Sequence, residues 1–404
     1  MKKSVKKLGL ICLMIINFCV IGYSQSCLLE GIIFTKQSQI DSFSINYPNC
    51  SKIAGNVTII NPDIQNLLGL NAITSIVGSI SVTLATSLTG FAGLNNLDSI
   101  GGGFVLKHNS RLKNFTGLNN LKYISGGFIV YANDSLESFI GLSNLCQVDG
   151  LSFWIQSNFG LISLIGFDRL SIISCDIDIY NNSIINLNGL ESLKSISGEL
   201  KIHQNFYIRD INGLENVFNI GGDLQISSND SLNSISGLRS LKTVEGSVDI
   251  HFNDALKSLS GLDSLNSFTG YLRVYSNDSL SKCAVKSICR FLSNPNGKIG
   301  FNNNLPGCNS AEEIQAMCDT LSIPENFPET QYLLYPNPAF DELTISNGTG
   351  KAISRINIFN QIGEIVLQID QTNEPICISN LCTGYYLVEF NVGEKVVRKP
   401  FFKN

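Results

Sequence analysis

Apolar positions recur along this chain with a period close to 24 residues. Each period begins at a glycine followed by leucine, or once by phenylalanine, and successive glycines are 24, 24, 24, 25, 23, 24, 24 and 24 residues apart. These glycines are Gly69, Gly93, Gly117, Gly141, Gly166, Gly189, Gly213, Gly237 and Gly261. A fixed period of roughly 20–50 residues predicts stacked supersecondary units. We therefore expect a solenoid, which offers an extended surface more naturally than a catalytic pocket.

Within each period, two apolar residues separated by one position predict a β-strand. They lie 11 and 13 residues after the glycine, as Leu200 and Ile202 do after Gly189. Strand alternation turns positions 11 and 13 towards the core and positions 12 and 14 towards solvent. A further glycine at position 9, replaced once by Cys175, predicts a corner that needs positive φ or close backbone approach. Asparagine at position 16 predicts a ladder of residues that adopt left-handed backbone turns or cap backbone groups with their side chains.

The repeats should share one core, because a single 24-residue coil cannot bury its own apolar side chains. About nine coils spaced by about 4.8 Å would form a rod roughly 40 Å long. Its ends would expose unpaired strand edges, so flanking segments should act as caps. We predict an N-terminal cap at 25–50, solenoid repeats at 51–282 and a cysteine-rich C-terminal cap at 283–318.

The repeat resembles the receptor L-domain family, the triangular β-solenoids of growth-factor receptor ectodomains. The resemblance is carried by residues 193–205, Leu-Lys-Ser-Ile-Ser-Gly-Glu-Leu-Lys-Ile-His-Gln-Asn, and by the equivalent coils over about residues 50–285. It implies an all-β, right-handed β-solenoid, and it specifies no ligand because ligands differ across the family. A leucine-rich-repeat horseshoe ranks second. Its leucine three residues before the strand pair is replaced here by Ser197, Gly221 and Glu245.

The N-terminus has the pattern of a secretory signal peptide at 1–24. Four lysines precede an apolar run from Leu8 to Ile21, and small residues Gly22 and Ser24 precede a predicted cleavage site. No other apolar run is long enough to span a bilayer, so we expect no transmembrane segment in the mature chain. Removing the signal leaves 24 of 28 basic residues against 33 acidic ones, a formal charge of −9. Such an acidic surface argues against nucleic acid as a partner.

Ten cysteines remain after the signal peptide. An even number in an exported chain favours disulfides over metal ligands. Eight of them are disulfide candidates: Cys27, Cys50, Cys283, Cys289, Cys308, Cys318, Cys377 and Cys382. Cys146 and Cys175 lie one coil apart at different repeat positions, and the sequence leaves open whether they bond to each other.

The composition changes after Cys318. Residues 319–331 form a predicted linker, and 332–404 alternate apolar and polar residues in short runs that predict a small β-sandwich. This module resembles the C-terminal sorting domain of type IX secretion substrates from the Bacteroidetes. The matching motif residues are Tyr335, Pro336, Asn337, Pro338, Gly363, Gly384, Arg398 and Lys399. The resemblance implies passage through the periplasm, recognition by type IX machinery and a final place outside or on the outer cell surface.

No catalytic signature accompanies these modules. The sequence contains no HExxH, no phosphate loop and no dinucleotide fingerprint. His203 and His251 both occupy outward position 14, two coils and about 10 Å apart, which is too far for one shared metal. We therefore expect no enzymatic activity, no cofactor and no metal site.

The outward strand positions carry the candidate ligand-binding residues. They are Tyr131, Trp154, Tyr180, His203, His251 and Tyr275. Exposed aromatic rings among hydrogen-bonding groups suit a glycan or protein ligand, although aromatic residues also favour strands for structural reasons. We expect a secreted or cell-surface binding or adhesion protein. A structural surface or matrix component is the first alternative. A glycan-active enzyme ranks lower, because it would need a cleft with paired carboxylates.

Overall fold

The computed structural model describes residues 25–293, 298–321, 332–347, 353–360, 364–371, 375–392 and 395–404. The chain divides into two compact units, Met1–Leu321 and Ser322–Asn404. The predicted signal peptide, most of the predicted linker and Gly363 of the sorting motif lie outside the described residues.

The first unit is a β-solenoid of about 11 turns. Its strands are β1 (Gln25–Cys27), β2 (Ile32–Phe34), β3 (Cys50–Ile53), β4 (Val57–Ile60), β5 (Ser75–Ile76), β6 (Ile80–Thr83), β7 (Ser99–Ile100), β8 (Phe104–Lys107), β9 (Tyr123–Ile124), β10 (Phe128–Tyr131), β11 (Gln147–Val148), β12 (Ser152–Gln156), β13 (Ile172–Ile173), β14 (Asp176–Tyr180), β15 (Ser195–Ile196), β16 (Leu200–His203), β17 (Asn219–Ile220), β18 (Leu224–Ser227), β19 (Thr243–Val244), β20 (Val248–His251), β21 (Ser267–Phe268), β22 (Tyr271–Tyr275) and β23 (Lys298–Asn302). The odd-numbered strands β1–β21 form the 11-stranded sheet A, and the even-numbered strands with β23 form the 12-stranded sheet B. All pairs within these two sheets are parallel, for example β10 with β12 and β11 with β13.

The predicted strand register is confirmed. Leu200 and Ile202 are at most 1% exposed, whereas Lys201 and His203 between and after them are partly exposed. The same alternation recurs along sheet B, so the apolar residues of every coil meet in one continuous core. Stacked phenylalanines add to this core, for example Phe139 on Phe167 with ring centroids 4.5 Å apart.

The solenoid is longer than the nine coils expected. Strands β1 and β2 lie within the predicted N-terminal cap, and β23 lies within the predicted C-terminal cap, yet all three pair in the two sheets. The repeat pattern does not predict these end strands, because the segments around them lack its glycine–leucine signature.

Glycine recurs at two positions of the repeat, at its start and at position 9, for different structural reasons. Gly141 has φ +111°, and a side chain there would place Cβ 2.1 Å from the carbonyl oxygen of Phe115. At position 9, a Cβ on Gly126 would lie 2.4 Å from the carbonyl carbon of Gly102, but Gly126 has no positive φ. Glycine at position 9 therefore serves the close approach of neighbouring coils and no positive φ, and one coil has Cys175 there.

The predicted asparagine ladder is present and buried. Its members are Asn109, Asn133, Asn158, Asn182, Asn205, Asn229, Asn253 and Asn277. The left-handed conformation falls on the residue before each asparagine, as in Ala132 with φ +53° and Ser157 with φ +55°. The expectation that asparagine itself adopts the left-handed turn is wrong, and its side chain provides the capping instead. The Nδ2 of Asn133, for example, donates to the carbonyl oxygen of Tyr131 at 3.0 Å.

Short helices and disulfides occupy both ends of the solenoid. The helices are α1 (Gln37–Asp41), α2 (Phe43–Asn46), α3 (Lys286–Ser293) and α4 (Ala311–Leu321). Within the repeats, 3₁₀ turns lie at Leu68–Leu70, Ser236–Leu238 and Ser260–Leu262. The disulfides are Cys27–Cys50, Cys283–Cys308 and Cys289–Cys318. Cys146 and Cys175 are not bonded to each other. None of the helices in the described ranges is long and apolar enough to cross a membrane.

The second unit is a small sandwich of two antiparallel sheets. Its strands are β24 (Tyr332–Tyr335), β25 (Glu342–Asn347), β26 (Ile353–Phe359), β27 (Ile365–Gln371), β28 (Ile376–Cys377), β29 (Gly384–Val392) and β30 (Lys395–Lys403). The sheets have the orders β24-β25-β28 and β27-β26-β29-β30. They share a core in which Leu343 of the first sheet clusters with Ile358 and Phe390 of the second. Cys377 and Cys382, two of the disulfide candidates, are exposed free thiols and are not bonded.

Candidate ligand-binding surface

The solvent side of sheet B, which we call the outer face, carries positions 12 and 14 of the repeat. Position 12 contributes Ser81, Val105, Ile129, Trp154, Asp178, Lys201, Gln225, Asp249 and Arg273. Position 14 contributes Thr83, Lys107, Tyr131, Gln156, Tyr180, His203, Ser227, His251 and Tyr275. Adjacent parallel strands lie about 4.8 Å apart, so consecutive members of each column are direct neighbours.

Three of the predicted site residues come together on β10, β12 and β14. Trp154 is 39% exposed, which confirms its outward orientation. Tyr131 and Tyr180 each pair in register with Gln156, two residues beyond Trp154 on the same strand. The tryptophan is therefore bordered by two tyrosines in the neighbouring column.

A hydrogen-bonded group adjoins Trp154 on its C-terminal side. Asp178 pairs in register with Trp154. Its Oδ2 accepts from Nε2 of Gln156 at 2.9 Å, and its Oδ1 lies 3.0 Å from Nε2 of His203. The His203 ring also stacks on Tyr180, with centroids 4.6 Å apart. Asp178 is thus fixed from two sides beside the tryptophan.

Sequence reasoning missed Asp178 as a member of this surface. The signal that could have found it is its register, because one repeat period places Asp178 directly beside Trp154. Its partners depend on side-chain orientation, which the repeat period does not specify.

The remaining predicted residues form a second group on β20 and β22. The rings of His251 and Tyr275 stack with centroids 4.7 Å apart and planes at 5°. Asp249 accepts a hydrogen bond from Arg273 at 2.5 Å, and its other oxygen lies 4.0 Å from Nε2 of His251. Burial lowers the pKa of His251, an effect that Asp249 opposes and Arg273 reinforces. Burial likewise raises the pKa of Tyr275.

The two groups are separate parts of the outer face. Ser227 stands in register between His203 and His251, so these histidines are two strands apart. Within the described ranges, no group of three or more histidine, cysteine, aspartate or glutamate side chains is placed to hold a metal ion.

In the second unit, the sorting-motif residues gather around the last strand. The turn Tyr335–Pro338 begins at the last residue of β24, and Oδ1 of Asn337 accepts a hydrogen bond from the backbone N–H of Phe402 at 3.0 Å. Gly384 begins β29 opposite Lys403. Arg398 donates through Nε to Glu389 at 2.6 Å, and Lys399 lies beside it on β30. The structure thus brings the ends of this unit together at β30.

Two family models match the chain. Residues 216–318 match the Receptor L domain, and residues 333–404 match the Secretion system C-terminal sorting domain. None of the curated proteins compared with the chain matches it. The sorting domain supports type IX secretion and indicates export to the cell surface or the surrounding medium. The receptor L domain fits a binding role, and neither family is catalytic.

Proposed function

We propose that this protein is an exported, non-catalytic binding or adhesion protein that holds a glycan or protein ligand on the outer face of sheet B. The observation that carries the proposal is Trp154, 39% exposed beside a carboxylate whose two oxygens are held by Gln156 and His203. An aromatic ring supplies flat apolar contact area, and the fixed polar groups around it supply orientation.

The binding centre comprises Tyr131, Trp154 and Tyr180, with Asp178 and His203 as its polar rim. His203 stacks on Tyr180 and contacts Asp178 at once, so little side-chain entropy remains to be lost when a ligand binds. The group containing His251 and Tyr275 forms a second contact area further along the same face. A ligand that spans several coils would engage both areas.

The C-terminal unit delivers this module. Type IX secretion machinery would recognise the unit through the surface formed by the Tyr335–Pro338 turn, Gly384, Arg398 and Lys399. The turn is held to β30 by the contact of Asn337 with Phe402, so these groups are presented together.

The test is ligand binding by the mature chain, followed through the fluorescence of its single tryptophan. The chain is titrated with a panel of polysaccharides, and we expect a blue shift or quenching with one class. Trp154→Ala should abolish retention on that polysaccharide when it is immobilised. Tyr123→Ala is the matched control, because Tyr123 is 49% exposed on the other sheet.

Retention by Trp154→Ala equal to that of the unmodified chain would contradict the proposal. Self-association of the purified protein, with a Trp154 spectrum that no polysaccharide or protein partner changes, would instead support the structural alternative.

A further inference from the structure

A third side of the solenoid, formed by the segments that follow the ladder asparagines, carries its own short parallel ladder. The backbone N–H of Arg209 donates to the carbonyl oxygen of Ile185 at 2.9 Å, and that of Asn233 donates to Arg209 at 2.9 Å. The equivalent position in successive coils is held by Lys113, Glu137, Ile162, Ile185, Arg209, Asn233 and Lys257. We call this surface the third side.

The middle of the third side differs from its ends. Lys113 and Glu137 form an exposed ion pair at 3.3 Å, as expected of a solvated surface. In the following coils Arg209 is exposed, and five further exposed side chains are aromatic or aliphatic. They are Phe159 at 56%, Ile162 at 57%, Ile185 at 46%, Phe206 at 46% and Tyr207 at 63% exposed. Contiguous apolar exposure of this kind marks interaction sites on soluble proteins.

A cavity lies at the edge of this apolar area. Its volume is about 390 Å³, and Ser183, Ile185, Tyr207, Arg209 and Ser231 line it. Ligand pockets in proteins have volumes of about 300–1,000 Å³, so the cavity accommodates one sugar unit of a longer chain. The apolar part of its lining is Ile185 and the ring of Tyr207.

The polar groups of the cavity are unengaged. In the described portion of the chain, the hydroxyls of Ser183 and Ser231 and the guanidinium of Arg209 make no hydrogen bond or ion pair. The neighbouring Asp210 accepts through Oδ1 from the backbone N–H of Asn212 at 3.0 Å and is not paired with Arg209. The cavity therefore combines one free cation, two free hydroxyls and an exposed aromatic ring.

We propose that this cavity binds a uronic acid unit of an acidic glycan. The ring of Tyr207 would pack against the apolar face of the sugar. The planar fork of Arg209 matches a carboxylate in shape and charge. The hydroxyls of Ser183 and Ser231 would bond sugar hydroxyls. This site lies on a different side from the outer face of sheet B and goes beyond the function proposed above.

The net negative charge of the protein excludes general electrostatic attraction as the cause of uronate binding. The chain without residues 1–24 has 24 basic and 33 acidic residues, so its net charge of −9 repels acidic polymers in general. Any affinity for a uronate must then arise from a local site and depend on particular side chains.

The experiment measures binding of trigalacturonate and of its fully methyl-esterified form to the mature full-length chain by calorimetry at low salt. We expect the free acid to bind at least about tenfold more tightly than the ester, because the ester lacks the charge that Arg209 recognises. Arg209→Gln and Tyr207→Ala should each weaken binding at least about tenfold, whereas Tyr207→Phe should retain it. Lys257→Gln, which removes a charge from the same column away from the cavity, should leave binding unchanged. Circular dichroism of each variant verifies the fold.

Three outcomes of the calorimetry with the ester and the charge variants would overturn the proposal. They are the absence of binding, equal affinity for acid and ester, and equal loss on Lys257→Gln and Arg209→Gln. Loss of trigalacturonate binding on Trp154→Ala with retention on Arg209→Gln would also overturn it, and would assign the sugar to the outer face of sheet B. Failure of this experiment leaves the Trp154 titration unaffected, so the two proposals can be judged separately.

Discussion

Asn158 accepts two hydrogen bonds from Asn133 in the preceding coil. Its Oδ1 lies 3.0 Å from the backbone nitrogen of Asn133 and 3.2 Å from Nδ2 of the same residue. Asn158 in turn donates through Nδ2 to Oδ1 of Asn182 at 3.1 Å and to the carbonyl oxygen of Gln156 at 3.0 Å. Asn158 thus satisfies buried polar groups of its own coil and of both neighbours.

Replacement of Asn158 by alanine should strongly destabilise the solenoid. It removes the acceptor of the buried Asn133 N–H and leaves that donor unsatisfied, which costs about 3 kcal/mol with the other lost bonds. Urea unfolding measures the change. Asn233→Ala is the control, because Asn233 is exposed on the third side, and it should change the free energy of unfolding by less than about 0.5 kcal/mol. Equal effects of the two substitutions would show that the ladder contributes no particular stability.

Replacement of Gly141 by alanine should be severe. Its φ of +111° disfavours any side chain, and a Cβ would lie 2.1 Å from the carbonyl oxygen of Phe115. We expect a loss of at least about 2 kcal/mol. At Gly90 a Cβ would meet its nearest atom, the carbonyl oxygen of Thr116, at 3.4 Å, so Gly90→Ala should be tolerated. The measurement is the thermal unfolding midpoint of both variants, and a similar midpoint for the two would contradict the close packing of coils at Gly141.

His251 should make the stability of the protein depend on pH. Burial holds its pKa below the ordinary value of 6.5, so the unfolded chain binds a proton more readily than the folded one. The free energy of unfolding should therefore be greatest above that ordinary value and decrease as the pH falls towards the lower pKa of the folded state. The ionisable groups facing the ring are Asp249, Arg273 and Tyr275.

Urea unfolding at about pH 7.5 and at about pH 5 tests this dependence. His251→Gln should lose less stability between the two values than the unmodified chain. His108→Gln is the matched control, because His108 is exposed and Gln204 occupies the equivalent position of another coil. An identical pH response in the unmodified chain and His251→Gln would show that this ring does not titrate with unfolding.

Two of the free cysteines in the described part of the chain, Cys377 and Cys175, should differ widely in reactivity. The hydroxyl of Ser379 lies 3.2 Å from the exposed Cys377 thiol and lowers its pKa. Burial raises the pKa of Cys175 to about 12, with Asp176 and Asp149 adding to the effect. Near pH 8 Cys175 should therefore remain the unreactive thiol. Timed iodoacetamide labelling with peptide mapping should find Cys377 modified early and Cys175 modified only after unfolding. Labelling of Cys175 in the native protein at the rate of Cys377 would contradict the buried placement.

Much of the solenoid could be predicted because its residues repeat. The alternation around Leu200 and Ile202 correctly predicted which strand residues face the core and which face solvent. The recurrence of asparagine correctly predicted the asparagine ladder. The candidate surface was predicted in part, since Trp154, Tyr131 and Tyr180 follow from the same register. The role of Asp178, held by Gln156 and His203, was not predicted, because side-chain orientation decides which neighbours a carboxylate reaches.

The sequence by itself determined the period, the strand faces and the two-module organisation, because each depends on local alternation and composition. Tertiary structure decided the end coils, where β1, β2 and β23 join the sheets without the glycine–leucine signature. It also decided that Cys377 and Cys382 stay unbonded, and it formed the cavity beside Tyr207 from three successive coils. For the end coils and the cavity the physical reason is the same. Stacking brings residues about one period apart into contact, and the packing of those particular side chains determines what the contact becomes.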